Sequence, residues 1–240
     1  PRDALIADSV QGASLGRAFG YQKSMDKVGA LLGTAMAFGI LAFSSEVDYR
    51  PIFLLSAIPG LAGTVLVLKL REAHPVASAH KFQLVLSLKN FDRQLQALLL
   101  VFFVFNLAGL SYMFFFLRAR DLLGIAVDSS SKGAVLSTIS LYFWYSLSFM
   151  AGASFAGRIS DKMARWKVLG TGFVFFGLAA GGLAFNPTIW QVWALLLLYG
   201  LSEACTTTAA RALISDLAPP QQRGTTLGAY YAVEGLAGMA

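Results

Sequence analysis

The sequence predicts an all-α fold, a polytopic bundle of membrane-spanning helices, and three observations carry that expectation. Hydrophobic residues make up 56% of the chain and charged residues only 13%, where a soluble domain carries about 25% charge. The apolar residues fall in long runs, and residues 133–157 and 168–202 contain no Asp, Glu, Lys or Arg at all. A helix crosses a bilayer with ~20 such residues. The charges between the runs are also biased. Threading seven spans through the chain places 15 of the 19 Lys and Arg residues in segments 1–27, 69–93, 158–167 and 211–223. Those segments are cytoplasmic by the positive-inside rule. Only Arg50, Arg118, Arg120 and Lys132 fall on the outer side. The same bias accounts for the net charge of +6 without invoking nucleic acid.

Taken in order, residues 1–27 are mixed polar and read as the end of one span, a cytoplasmic loop and the start of the next helix. Residues 28–45 span. Glu46, Asp48 and Arg50 form a turn, and Pro51 opens the return helix at a position proline tolerates. Residues 51–68 span back, with Pro59-Gly60 predicting a kink. The longest polar interval, residues 72–93, is the only evident domain boundary. Phe82, Val85, Leu86 and Lys89 within it sit at helical spacing, which suits an interfacial helix as well as a plain linker. Residues 94–117 span outward and 133–157 return. The uncharged stretch 168–202 is too long for one helix, and Asn186-Pro187 divides it, because proline pushes its predecessor out of helical geometry. That leaves helices near 167–185 and 188–213. The last run starts near Gly224. The chain begins at Pro1 and stops at Ala240 inside an apolar run, as expected of a piece of a longer polypeptide.

An internal repeat underlies this order. Ala4-Leu5-Ile6-Ala7-Asp8 recurs as Ala212-Leu213-Ile214-Ser215-Asp216, an offset of 208 that also pairs Gly16 with Gly224, Gly20 with Gly228 and Asp26 with Glu234. Six spans lie between the copies, an even number, so both copies run in the same direction through the membrane. This is a parallel repeat of six helices.

The basic connection Gly157-Arg158-Ile159-Ser160-Asp161-Lys162-Met163-Ala164-Arg165-Trp166-Lys167 lies between two uncharged runs. Its spacing resembles the loop signature of the major facilitator superfamily, Gly-x-x-x-Asp-Arg/Lys-x-Gly-Arg-Arg/Lys. Gly157, Asp161, Lys162, Arg165 and Lys167 match, while Ala164 replaces a Gly and Trp166 a basic residue. The resemblance implies a twelve-helix fold of two six-helix halves, covered here from the end of helix 4 to the middle of helix 11. Residues 1–71 would then end the first half, 72–93 link the halves, and 94–240 belong to the second. It also implies that Gly157, Asp161, Lys162 and Arg165 form a conformational latch. Asp161 would meet the unpaired N–H groups and positive dipole of a helix starting at residues 20–27, with Lys162 and Arg165 toward anionic headgroups. One departure is that Gly29-Ala30-Leu31-Leu32-Gly33 lacks the proline that follows this motif in drug antiporters. The two glycines are instead expected to allow close helix packing.

Glu203 is the leading candidate for transport and proton coupling. It lies mid-span, where a carboxylate costs about 2.5–3.5 kcal/mol on insertion scales and must face protein or a wet cavity. Thr206 and Thr207 follow at i+3 and i+4 on the same face. Ser137, Ser140, Trp144 and Ser148 make a polar stripe at helical spacing, and Asn106 adds an isolated amide. These five are candidates to line a cavity, in competition with ordinary interhelical hydrogen bonds. The histidines, His74 and His80, both sit in the polar linker, so no metal site is expected in the spans, and no cofactor is expected. Cys205 is alone, which excludes an internal disulfide. No Gly-x-x-x-x-Gly-Lys-Ser/Thr loop is present.

The expected function is therefore a secondary transporter in the plasma (inner) membrane, not an enzyme. Its partners would be a small-molecule substrate, the lipid bilayer and a proton or other coupling ion. Two other classes compete with this reading. A seven-helix receptor fits the seven runs, although residues 224–240 contain no lysine of the retinal-binding kind. An intramembrane enzyme would need paired carboxylates, and Asp26, Glu203 and Glu234 are scattered in sequence.

Overall fold

The computed structural model of the chain describes residues 2–10, 14–44, 47–69, 91–108, 112–125, 132–185, 187–219 and 222–238. Every regular element among them is an α-helix. In chain order these are α1 (Arg2–Ser9), α2 (Leu15–Phe43), α3 (Arg50–Lys69), α4 (Arg93–Ala108), α5 (Tyr112–Leu122), α6 (Lys132–Lys162), α7 (Arg165–Ala184), α8 (Ile189–Leu217) and α9 (Arg223–Ala237). Helices α2, α6, α7 and α8 are long and apolar enough to cross a membrane, and α3 and α4 carry shorter apolar stretches. The chain is a multi-pass membrane protein whose described elements are helices.

Three of the long helices, α6, α7 and α8, form the packed centre. Gly152, Gly172 and Gly200 allow their backbones to approach, since a β-carbon on Gly200 would lie 2.7 Å from the Tyr145 carbonyl of α6. Aromatic side chains fill one end, with Phe115 of α5 stacked on Tyr199 of α8 at 4.0 Å between ring centroids. A second cluster joins α4, α7, α8 and α9 through Leu95, Phe102, Leu169, Ile214 and Tyr230. Helix α3 differs. None of its described side chains is buried, and Phe53 and Leu54 are 73% and 74% exposed. Its apolar surface suits lipid or further helices rather than water.

Element ends depart from the expectations in instructive ways. The basic connection is mostly helix: α6 continues through Gly157 to Lys162, and only Met163 and Ala164 separate it from α7. Helix α2 starts at Leu15 rather than in the interval 20–27, because Asp161 satisfies the N–H groups of its first turn. Helix α8 starts at Ile189, just after Pro187, where the Gln191 side chain accepts from the Thr188 N–H at 2.8 Å in a capping box. The expected span 94–117 is described as α4 and α5, with residues 109–111 outside the described set. Residues 70–90, which hold most of the expected linker including Phe82, Val85, Leu86 and Lys89, also lie outside it.

Candidate functional site

Helices α2 and α6 run antiparallel along a shared seam. The end of the seam at the start of α2 is built from glycine: a β-carbon on Gly16 would fall 2.7 Å from the Gly157 carbonyl, and one on Gly20 would fall 2.5 Å from the Ala153 carbonyl. The Asp161 carboxylate faces the start of α2. Its Oδ1 accepts the Gly16 N–H and its Oδ2 the Arg17 N–H, both at 2.8 Å. Midway, the Ser24 hydroxyl lies 2.8 Å from the Met150 carbonyl, to which it donates, and 2.7 Å from the Ser154 hydroxyl. At the far end, Lys132 Nζ donates to the Ala42 carbonyl at 2.8 Å and the Ser44 carbonyl at 2.6 Å. One helix thus sets a carboxylate at the positive end of its neighbour and an ammonium at the negative end, both favoured by the macrodipole.

Arg165 does not turn to headgroups as expected. Its side chain is 9% exposed and pairs with Asp216, with Asp161 at 3.9 Å. It also donates to the Ala212 carbonyl at 2.6 Å. Two carboxylates and a carbonyl draw the guanidinium inward. Lys162 remains exposed.

Between the helices lies a set of ionisable side chains, each of them half-buried. The Lys27 ammonium of α2 sits over three rings of α6, at 5.6 Å from Tyr142, 4.8 Å from Tyr145 and 4.6 Å from Phe149. Ring faces attract such a cation, by about 2 kcal/mol or more where water is excluded. Glu203 of α8 interacts electrostatically with Lys27, and with Glu234 of α9 and Lys23. Glu203 and Glu234, far apart in sequence, therefore belong to one electrostatic group. No cluster of three metal-ligating side chains occurs among the described residues.

The other sequence candidates go elsewhere. The Thr206 hydroxyl donates to the Ser202 carbonyl at 2.9 Å, and the Thr207 hydroxyl to the Glu203 carbonyl at 2.6 Å, so both serve their own helix. Thr206 is moreover buried against Gly172 of α7. In the polar stripe, Ser140 bonds back to the Leu136 carbonyl, while Ser148 bonds across to the Leu197 carbonyl of α8 at 2.6 Å. Trp144 is 45% exposed and meets Trp193 edge-on, Ser137 is half-buried, and the Asn106 amide donates to the Phe102 carbonyl. Gly29 and Gly33, expected at a close helix contact, have no described atom within 4 Å of where a β-carbon would stand. The close contact belongs to Gly16 and Gly20, one helix end away.

A buried polar group that sequence reasoning missed joins α1, α8 and α9. Asp3 and Arg211, 5% and 7% exposed, form an ion pair at 3.4 Å. Tyr231 donates its hydroxyl to Asp3, and the Arg211 guanidinium lies 5.5 Å from the Tyr231 ring centroid. Beside it, Arg223 pairs with Asp8 at 3.1 Å.

Apolar helices with ionisable side chains between them, and charges matched to helix ends, mark a polytopic membrane protein. The sequence model of the Major Facilitator Superfamily matches residues 1–240, and the chain belongs to that family. It is similar to the uncharacterized MFS-type transporter MJ1317 of Methanocaldococcus jannaschii, with 32% identity over 98% of this chain and 58% of the relative. It is also similar to multidrug resistance protein 3 of Bacillus subtilis, with 27% identity over 50% of this chain and 24% of that protein. The chain thus spans less than two thirds of the length of either relative. No solved structure matches.

Proposed function

We propose that the protein is a secondary active transporter of a small molecule, working by alternating access in the plasma (inner) membrane and driven by a proton or other ion gradient. The observation that carries this reading is the half-buried charge set of Glu203, Lys27 and Glu234 in a member of this family. Ionisable groups are costly at membrane depth and persist where an ion or substrate path uses them. Glu203 is the coupling residue, and Lys27 its counter-charge. The proposal divides the chain as residues 1–71 and 94–240 in two halves joined by 72–93. Closure at the cytoplasmic face then rests on Gly157, Asp161 and Arg165 against α2, and closure at the outer face on Lys132. Membership of a transporter family supports a role without chemistry on the substrate. The name of the Bacillus relative makes drugs the first compounds to screen.

The test is uptake and efflux in proteoliposomes, with the protein expressed from its whole reading frame. Wild type is expected to move at least one compound faster under an imposed gradient. Glu203→Gln, which keeps the shape and removes the titrating proton, is expected to lose the gradient-driven rate about tenfold or more and to flatten its pH dependence. Unchanged rate and pH profile in Glu203→Gln would make the residue structural.

A further inference from the structure

We infer that the outer flank of the α2–α6 seam, at its cytoplasmic end, is a binding site for an anionic phospholipid. An open groove of about 370 Å³ lies there, lined by Arg17 of α2 and Arg158 of α6. Both side chains are exposed, and among the described residues neither takes part in an ion pair. The neighbouring carboxylate, Asp161, is already engaged by two backbone N–H groups. Two like charges on facing helices repel unless an anion lies between them, and a phosphate accepts from two guanidinium groups at once.

The surface from the groove onward is graded along the helices. Ser14, Arg17, Tyr21 and Met25 share one stripe of α2, and Ser154, Phe155 and Arg158 share one of α6. From the arginines the surface passes to Tyr21, then to Met25 and Phe155, which are 63%, 47% and 67% exposed. A charged rim above an exposed aromatic and then an apolar track matches a headgroup, an interface and acyl chains in order. Free phosphate would fit the arginines but has no use for the track. The stripe also turns away from Phe19, which packs inward on Ala212, so it lies on the outer side of the described helices. Because one arginine comes from each helix, the headgroup bridges the same seam that Asp161 caps. The inference rests on family and geometry and not on the transport reading, so either can fail alone.

Native mass spectrometry of the delipidated protein, titrated with phosphatidylglycerol, phosphatidylcholine or inorganic phosphate, tests it. Wild type is expected to prefer phosphatidylglycerol, and the Arg17→Gln/Arg158→Gln variant to lose about tenfold in that affinity. Lys167→Gln, a basic residue outside the groove, is expected to lose little. A second measurement needs no variant: phosphatidylglycerol with a photoreactive acyl chain should label Tyr21, Met25 or Phe155. Equal binding of both lipids, displacement of phosphatidylglycerol by inorganic phosphate at equal concentration, or labelling confined to other helices would overturn the inference.

Discussion

A single methyl group separates the glycines of α2 into two kinds. At Gly20, and at Gly157 across from it, a β-carbon would overlap the backbone of the facing helix. Gly20→Ala or Gly157→Ala must push the helices apart and is expected to cost about 1–3 kcal/mol, typical of overpacking. Gly29→Ala meets open space and should be neutral or slightly stabilising, since alanine is the better helix former by about 0.5–1 kcal/mol. Thermal unfolding in detergent ranks the three, and a Gly29→Ala loss as large as that of Gly157→Ala would contradict the geometry. Both kinds sit at four-residue spacing in sequence, so spacing alone did not tell them apart; only the course of α6 does. Glu203 stands out in the sequence for a different reason, because charge at mid-span is rare whatever surrounds it. Its threonines misled because i+3 and i+4 spacing also puts a hydroxyl within reach of the helix's own carbonyls. Lys27 was hidden by its place at the edge of a polar segment, where a lysine reads as a headgroup-level charge.

Among the elements, α2 is held at both ends by one neighbour. The two clamps are about 40 Å apart along a helix of this length, at 1.5 Å per residue, and lie at opposite faces of the membrane. Under the proposed alternating access, opening at one face would break one clamp and spare the other. Asp161→Asn is therefore expected to favour opening at the cytoplasmic end, and Lys132→Gln at the outer end. A helix-dipole contact contributes about 0.3–2 kcal/mol, so each shift is a severalfold change in population rather than a lock. Distances between spin labels placed across each end measure this. Both variants opening the same end would refute the two-clamp account. The acid was legible from the spacing of its motif, but the helix it caps starts nearer the chain's beginning than the polar composition of residues 1–27 suggested. The lysine clamp has no sequence signature, because its partners are bare carbonyls.

Across the whole molecule, the buried Asp3–Arg211 pair with Tyr231 ties the first described helix to the last two. Arg211→Met leaves Asp3 enclosed without its counter-charge and should cost about 3–5 kcal/mol. Adding Asp3→Asn should recover part of that loss, and denaturation of the single and double variants decides it. The helical class and the order of elements were legible from uncharged runs and basic connections, which act over whole segments. The pairing of α1 with α9 depends on side chains more than 200 residues apart, and no local pattern encodes it. The 208-residue repeat, however, does say something about this pair. Asp3 and Arg211 stand at equivalent positions of the two copies, at the same offset as Asp8 and Asp216. Equivalent positions that touch each other lie on the axis relating the copies. In a dimer of identical chains that point carries one residue type twice, so acid would face acid or base would face base. Opposite charge there is open only to copies joined in one polypeptide and free to diverge. An assembly built from two copies of either segment would therefore meet itself with like charges at its centre.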